Sequence, residues 1–232
     1  MVRQKIAAQE SELDRSPIGL GSRLFQLPGG VMQPFDEATR FLAALDPDWA
    51  RHVAMIGPCL HRPTPGREPF EALVRAIAYQ QLHPRAGDAI LGRMLALFPE
   101  MDFPTPAQLL ASTPEVLRTC GFSANKLATI HGIAQARLDG VVPSREEALA
   151  LSDEALIERL VSLRGVGRWT VEMLLIYSLE RGDILPVDDL GVREGYRRMK
   201  GLDKAPTPAQ MRMLAAAWSP HRTIASWYLW RA

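Results

Sequence analysis

Beyond residue 35, apolar residues recur three and four positions apart along most of the chain, and alternating apolar–polar runs are scarce. The clearest case is 68–82, where Phe70, Leu73, Val74, Ile77 and Ala78 fall on one helical face. The same period predicts helices over 35–45, 48–56, 85–98, 124–138, 152–163, 167–179, 188–199, 208–217 and 222–230, with shorter ones over 104–110 and 114–120. The punctuation agrees. His83-Pro84 and Pro99 close helices, Pro104 and Pro114 open them, and Arg62-Pro-Thr-Pro-Gly-Arg67 reads as a loop. Ser152 precedes Asp153 and Glu154, a cap followed by acids that suit the positive end of a helix dipole. The pattern predicts an all-α protein of two helical lobes flanking a cleft. Residues 1–33 have weak periodicity and read as a tail or extended wrap, which leaves 34–232 as the core. Within it we expect one lobe over about 67–150, a second over about 151–205, and C-terminal helices over 206–232 that line the cleft.

Two predicted helices meet at Leu163-Arg164-Gly165-Val166-Gly167. Glycines permit positive φ and keep side chains out of the way. The second helix then begins with free N–H groups and a positive dipole end, which suit a phosphate oxygen. Gly165, Gly167, Arg168 and Thr170 are the candidate phosphate-contacting residues. An ordinary helical hairpin closed by a glycine turn has the same spelling. One helix later stands Asp188-Asp189, after Leu185-Pro186. Acids at a helix start act as caps; one of them aimed into a cleft is placed for chemistry.

Composition narrows the class. The chain has 232 residues, 47% hydrophobic and 23% charged, enough for a substantial core. Its net charge of +1 does not by itself announce a nucleic-acid binder. The distribution is uneven, because residues 191–232 carry eight Lys and Arg against two acids, Glu194 and Asp203. A basic end suits a phosphate-facing surface, and equally a solvated helix face. Cys59 and Cys120 form no metal spacing and read as buried thiols of a reducing compartment. No run reaches the ~18 apolar residues of a membrane span, and the N-terminus does not resemble a secretory signal. A soluble, cytoplasmic protein is expected.

The hairpin with its following Gly/Pro-rich loop and aspartate resembles the helix-hairpin-helix motif of the DNA glycosylase superfamily, with Arg164 where that family usually has proline. Two more segments carry the resemblance. Ala76-Ile-Ala-Tyr-Gln-Gln-Leu-His83 is similar to the family's A-I-x-x-Q-Q-(I/L)-S, and Trp218-Ser-Pro220-His-Arg222, then Ala225 and Trp230, to its W-x-P-x-R-x-x-A…W ending. The pattern around Trp169 and the C-terminus looks like the 3-methyladenine DNA glycosylase II family, in a compact form matched over roughly 35–232.

The resemblance implies an enzyme of base-excision repair that flips an alkylated base out of duplex DNA and hydrolyses its N-glycosidic bond. It makes Asp189 the catalytic carboxylate, since Val192 and Arg193 follow it at the family's spacing, and leaves Asp188 to capping or support. Trp169 occupies the place where bifunctional members carry a lysine, so no lyase activity is implied. Trp169, Trp230, Met173, Tyr79 and Gln80 correspond to the base pocket, with Met173 where the family has a tyrosine. Trp218 and Trp227 read as core. Gln81 or Leu82 corresponds to the wedge that fills the gap left by a flipped base, and His83 stands where serine is usual. Gly121-Phe-Ser-Ala-Asn-Lys126 is similar to a turn read as mainly structural, with Lys126 near phosphate. No cofactor is required. The backbone carbonyls of Val161, Leu163 and Val166 match those that hold a monovalent cation, Na⁺ or K⁺, in the superfamily. Duplex DNA is the implied partner, and the protein is expected to act as a monomer. Two alternatives stay open: a glycosylase for another lesion (1-methyladenine, 3-methylcytosine, hypoxanthine or ethenoadenine), and a non-catalytic helix-hairpin-helix DNA-binding protein.

Overall fold

A computed structural model describes residues 35–232 together with Gln26, Leu27, Gly30 and Val31. The tail or wrap expected over 1–33 therefore lies outside the described residues, apart from a two-residue antiparallel ladder of Gln26–Leu27 with Gly30–Val31. The protein is otherwise helical, as its period predicts. In chain order the α-helices are α1 (Asp36–Ala43), α2 (Pro47–Ile56), α3 (Pro69–Tyr79), α4 (Pro84–Leu95), α5 (Pro106–Ala111), α6 (Pro114–Thr119), α7 (Ala124–Leu138), α8 (Arg145–Ala150), α9 (Asp153–Val161), α10 (Arg168–Tyr177), α11 (Leu190–Lys200), α12 (Pro208–Leu214) and α13 (Arg222–Leu229).

Several helix ends shift by up to three residues from expectation, and three differences have a visible cause. The helix expected over 68–82 ends at Tyr79, because Gln80 turns out of helical geometry at ψ 129° and Gln81 sits at φ 57°. The helix expected over 208–217 stops at Leu214 and continues as a 3₁₀ turn, Ala215–Trp218. Helix α8 was not expected. It starts with a capping box in which Ser144 accepts from the Glu147 N–H and the Glu147 side chain accepts from the Ser144 N–H. The signal was present as Ser144-Arg-Glu-Glu147, in a helix too short to show a period.

The chain forms two compact units, one of residues 63–180 and one of 1–62 with 181–232. This differs from the expected division at 150/151. The stretch 151–180 shares a core with the wedge segment, because α10 packs on α3 as well as on α9. In this unit α3 and α5 both pack on α7. Phe70, Leu73, Val74, Ile77 and Ala78 are all buried, as their spacing predicts. Each of the four larger side chains contributes about 1.5–3 kcal/mol when fully buried.

The other unit joins α1 and α2 to α11 and α13. Helices α11 and α13 approach so closely at Gly195 that a Cβ there would lie 1.9 Å from the Leu229 carbonyl oxygen. Lys200, in the last turn of α11, donates to Asp46 at 2.6 Å and Asp48 at 3.0 Å, tying α11 to the start of α2. Trp218 and Trp227 are 3% and 2% exposed, which fits the core role expected of them. Trp218 meets Trp49 edge to face, ring centres 5.3 Å apart. Among the described residues no helix is long and apolar enough to cross a membrane.

Candidate active site and phosphate-gripping hairpin

The hairpin connects α9 to α10 through a turn that strongly favours glycine. Gly165 has φ 82°, and a Cβ on it would lie 2.5 Å from Thr129 Oγ1 on α7. Gly167, at φ −92°, is the N-cap of α10 and has open space beside it. The turn is closed by the Val166 N–H donating to Leu163 O at 3.1 Å. The backbone N–H groups of Gly165, Gly167 and Arg168 donate to no carbonyl among the described residues. They are the donors a phosphate oxygen would meet. Thr170 does not join them as expected: its N–H is spent on Gly167 O at 3.0 Å, and the residue is buried. The first turn of the helix tightens and consumes that donor itself.

Arg168 is also more occupied than its position suggested. Its guanidinium is shared between Glu154, through both terminal nitrogens (NH1 to Oε2 at 3.0 Å), and Glu172, at 3.0 Å from Nε. Hydrogen bonding to Glu154 raises its pKa further, against some loss of solvation. Trp169, the next residue, is half-buried, and Met173 is buried within α10.

Asp189 and Asp188 part company in the structure. Asp188 is exposed. Asp189 is 5% exposed and is itself the N-cap of α11, its Oδ1 accepting the Val192 N–H at 3.0 Å. The capping expected of Asp188 thus falls to Asp189. The same Oδ1 also accepts the Trp230 indole N–H at 3.2 Å. Trp230 follows α13 directly and is itself buried. The carboxylate is therefore held by two donors from two helices, away from bulk water. A fixed anion of this kind is suited to stabilising a nearby positive centre, because its field is preorganised and only weakly screened.

The final stretch, 181–232, also explains a residue that the sequence left without a role. Arg222 grips Asp183 with two parallel bonds, Nε to Oδ1 and NH2 to Oδ2, both 2.7 Å. Ser219 donates to the same carboxylate at 2.7 Å. The Arg222 hydrogen bonds, supported by Ser219, hold the Asp183 pKa down at about 2. Most of the expected basic surface is consumed in this way. Arg197 pairs with Glu194, Lys200 with Asp46 and Asp48, and Arg231 lies over the Trp227 ring with its CZ carbon 3.7 Å from the ring centre. Arg193 reaches Pro206 O at 3.4 Å. Arg198, Lys204 and Arg212 remain as exposed cations.

The wedge candidates stand at the end of α3. Gln81 is exposed and left-handed, whereas Leu82 is half-buried with its N–H donated to Tyr79 O at 3.2 Å. Tyr79 donates its hydroxyl to Asp88 at 2.5 Å, and Gln80 donates its amide to Gly165 O at 3.3 Å. His83 performs the cap role that serine has elsewhere, with Nδ1 accepting the Arg85 N–H at 3.3 Å. Lys126, expected near phosphate, instead donates to Ala78 O at 2.7 Å.

Comparison with known proteins adds three findings. The HhH-GPD superfamily of base excision DNA repair proteins matches residues 74–221. DNA-3-methyladenine glycosylase 1 of Schizosaccharomyces pombe is 43% identical over 204 residues, 87% of this chain and 89% of the relative. Two solved structures match closely. The S. pombe 3-methyladenine DNA glycosylase in complex with abasic DNA superposes with a TM-score of 0.76 at 44% identity, covering 84% of this chain and 95% of that one. DNA-3-methyladenine glycosidase of Bacillus halodurans superposes at 0.75 and 30%, covering 85% and 90%.

Proposed function

The chain belongs to the HhH-GPD superfamily of base excision DNA repair proteins, and from that premise we infer that it is a DNA-3-methyladenine glycosylase acting on duplex DNA. The observation that carries the catalytic part is the buried Asp189 carboxylate, held by the Val192 N–H and the Trp230 indole. Alkylation at a purine ring nitrogen makes the base cationic and a good leaving group. As the bond from C1′ to the base nitrogen breaks, its electron pair leaves with the base and positive charge grows on the deoxyribose. Asp189 stabilises that oxocarbenium-like sugar and orients a water. The water oxygen bonds to C1′ and passes its proton to the Asp189 carboxylate, which returns it to solvent.

The base must first leave the stack, which costs a few kcal/mol. The free N–H groups of Gly165, Gly167 and Arg168 grip one backbone phosphate without reading sequence. Trp169 offers an indole face to the cationic base, an attraction of ~0.5–2 kcal/mol. Met173 and Tyr79 are further pocket candidates beside Trp169; Gln80, whose amide is bonded to Gly165 O, is not counted among them, and Trp230 serves Asp189. Trp169 stands where a bifunctional enzyme has its amine, so water is the nucleophile and no Schiff base forms. The carbonyls of Val161, Leu163 and Val166 are an all-oxygen donor set of the kind Na⁺ or K⁺ takes, with Leu163 O also accepting the Val166 N–H at 3.1 Å. We read the enzyme as cytoplasmic, working where its DNA substrate lies.

The test is base release from methylated duplex oligonucleotides, with alkali added to reveal abasic sites. Release of 3-methyladenine with strand breaks only after alkali is expected. Asp189→Asn should lower the rate roughly 10²–10³-fold while keeping the melting temperature, because asparagine caps helices as well as aspartate does. Asp188→Asn should keep full activity. Release of no base from methylated, hypoxanthine or ethenoadenine duplexes overturns the enzyme reading. Breaks without alkali overturn the monofunctional one.

A further inference from the structure

The segment that follows α3 is held at several points by residues outside it. Ala78 O, a carbonyl of the last turn of α3, receives the Lys126 ammonium from α7 at 2.7 Å. A cation at this end of a helix satisfies an orphan carbonyl and opposes the negative end of the dipole. Two residues on, the Gln80 amide donates to Gly165 O in the hairpin turn at 3.3 Å. Tyr79 is fixed by its bond to Asp88, and its ring fills the space beside Gly87, where a Cβ would lie 2.3 Å from Tyr79 Cδ1. Gln81 comes next, exposed and at φ 57°. Helix α7 also touches the hairpin itself, since Thr129 fills the space against Gly165. The end of α3, the start of α7 and the glycine turn therefore form one bonded assembly within a single unit.

A left-handed glutamine is strained, and such a residue persists only where its surroundings over-determine it. Here the conformation is set by the turn over Tyr79–Leu82, closed by the Leu82 N–H on Tyr79 O at 3.2 Å, and that turn is anchored by Lys126 on one side and by the Gln80 bond to the hairpin on the other. Without them the turn would be free to shift as a whole and aim the Gln81 side chain elsewhere. Ordering the segment at the moment of binding would then subtract from what it contributes to flipping.

We propose that Lys126 and Gln80 are positioning residues that hold Gln81 ready as the wedge, in fixed register with the phosphate-gripping turn at Gly165. The proposal rests on the glycosylase reading above. It also selects Gln81 over Leu82, whose side chain is half-buried and whose N–H is already committed. Grip on the backbone and expulsion of the base then belong to one rigid device, built before DNA arrives.

Flipping is hardest when the lesion has a partner base and easiest when it has none. Single-turnover excision by Lys126→Met and Gln80→Ala is therefore measured on two duplexes, one with the lesion paired and one with it opposite an abasic analogue. A loss of about tenfold or more is expected on the paired duplex and less than about twofold on the other. Gln81→Ala should show the same pattern, and Lys126→Arg should restore the paired rate. Equal losses on both duplexes, or no loss on either, overturn the positioning role. If Lys126→Met does not fold, Gln80→Ala decides alone. A wild-type protein that excises from neither duplex fails the glycosylase reading instead, and 2-aminopurine fluorescence beside the lesion then still reports insertion of Gln81 in wild type and its loss in the variants.

Discussion

Trp230 donates its indole N–H to Asp189 Oδ1 at 3.2 Å, onto the oxygen that already caps α11 by accepting the Val192 N–H at 3.0 Å. Both side chains are 5% exposed. One atom thus ties the first turn of α11 to the residue that follows α13, and the carboxylate proposed for catalysis takes its orientation from both.

Trp230→Phe keeps most of the ring's packing and removes the donor. A hydrogen bond to a charged group is worth about 1.5–3 kcal/mol, so kcat for base release should fall roughly tenfold or more. Trp218→Phe, whose ring packs in the core against Trp49, should change stability and leave kcat within about twofold. Single-turnover rates and urea midpoints measured side by side separate the two effects, and an unaltered kcat in Trp230→Phe would show that the indole acts by packing alone.

The two glycines of the hairpin should fail differently. Gly165→Ala meets both a φ of 82° and Thr129 Oγ1 at 2.5 Å, and should cost about 1–3 kcal/mol of stability. Gly167→Ala has open space and a φ of −92°, and should cost under about 1 kcal/mol, the ordinary penalty for alanine at an N-cap. Both should weaken binding to duplex DNA, because each puts a methyl group beside the donors. DNA affinity retained in Gly167→Ala would count against backbone approach at that turn.

Gly195→Ala should be the most damaging single methyl group. Its Cβ would fall 1.9 Å from the Leu229 carbonyl oxygen, which is backbone and cannot rotate away. Separating α11 from α13 should cost about 3 kcal/mol or more. Activity should drop further than stability explains, because Trp230 moves with Leu229 and Asp189 with the start of α11. Thermal melts and excision rates at a temperature where the variant is folded provide the comparison.

The Asp183–Arg222 pair gives stability a defined pH dependence. The folded pKa of Asp183 is lowered from 3.8 to about 2, chiefly by Arg222. Its contribution is therefore full above the unfolded value and is lost as pH falls through the folded one. Allowing for partial exposure of both side chains, Asp183→Asn should cost about 1–2 kcal/mol at pH 7. The gap to wild type should close between about pH 4 and pH 2, read from urea midpoints along that range. A gap that stays constant with pH would mean the carboxylate contributes by shape rather than by charge.

Much of the site was legible where the physics is local. Glycine at Gly165 answers a turn geometry set within five residues. The buried face of α3 follows from Phe70, Leu73 and Val74 at helical spacing. The capping box at Ser144 and Glu147 was equally local, and was overlooked only because α8 is too short to show a period. Partners distant in sequence were not legible. Nothing near Lys126 points to Ala78 O, 48 residues away, and nothing near Lys200 points to Asp46. The basic end over 191–232 is partly spent for the same reason, since Lys200 and Arg222 meet acids that only folding brings near, whereas Arg197 pairs with Glu194 within its own helix.

The sequence by itself determined that the chain is helical, where its glycine turn lies and which pair of acids follows it, because helix period and turn chemistry are properties of neighbouring residues. Only the tertiary structure decided between Asp188 and Asp189 for the cap, joined Trp230 to that carboxylate, and bent Gln81 into a left-handed conformation beside the hairpin. Those outcomes depend on which helix ends pack together, and that is settled by burial of side chains far apart in the chain.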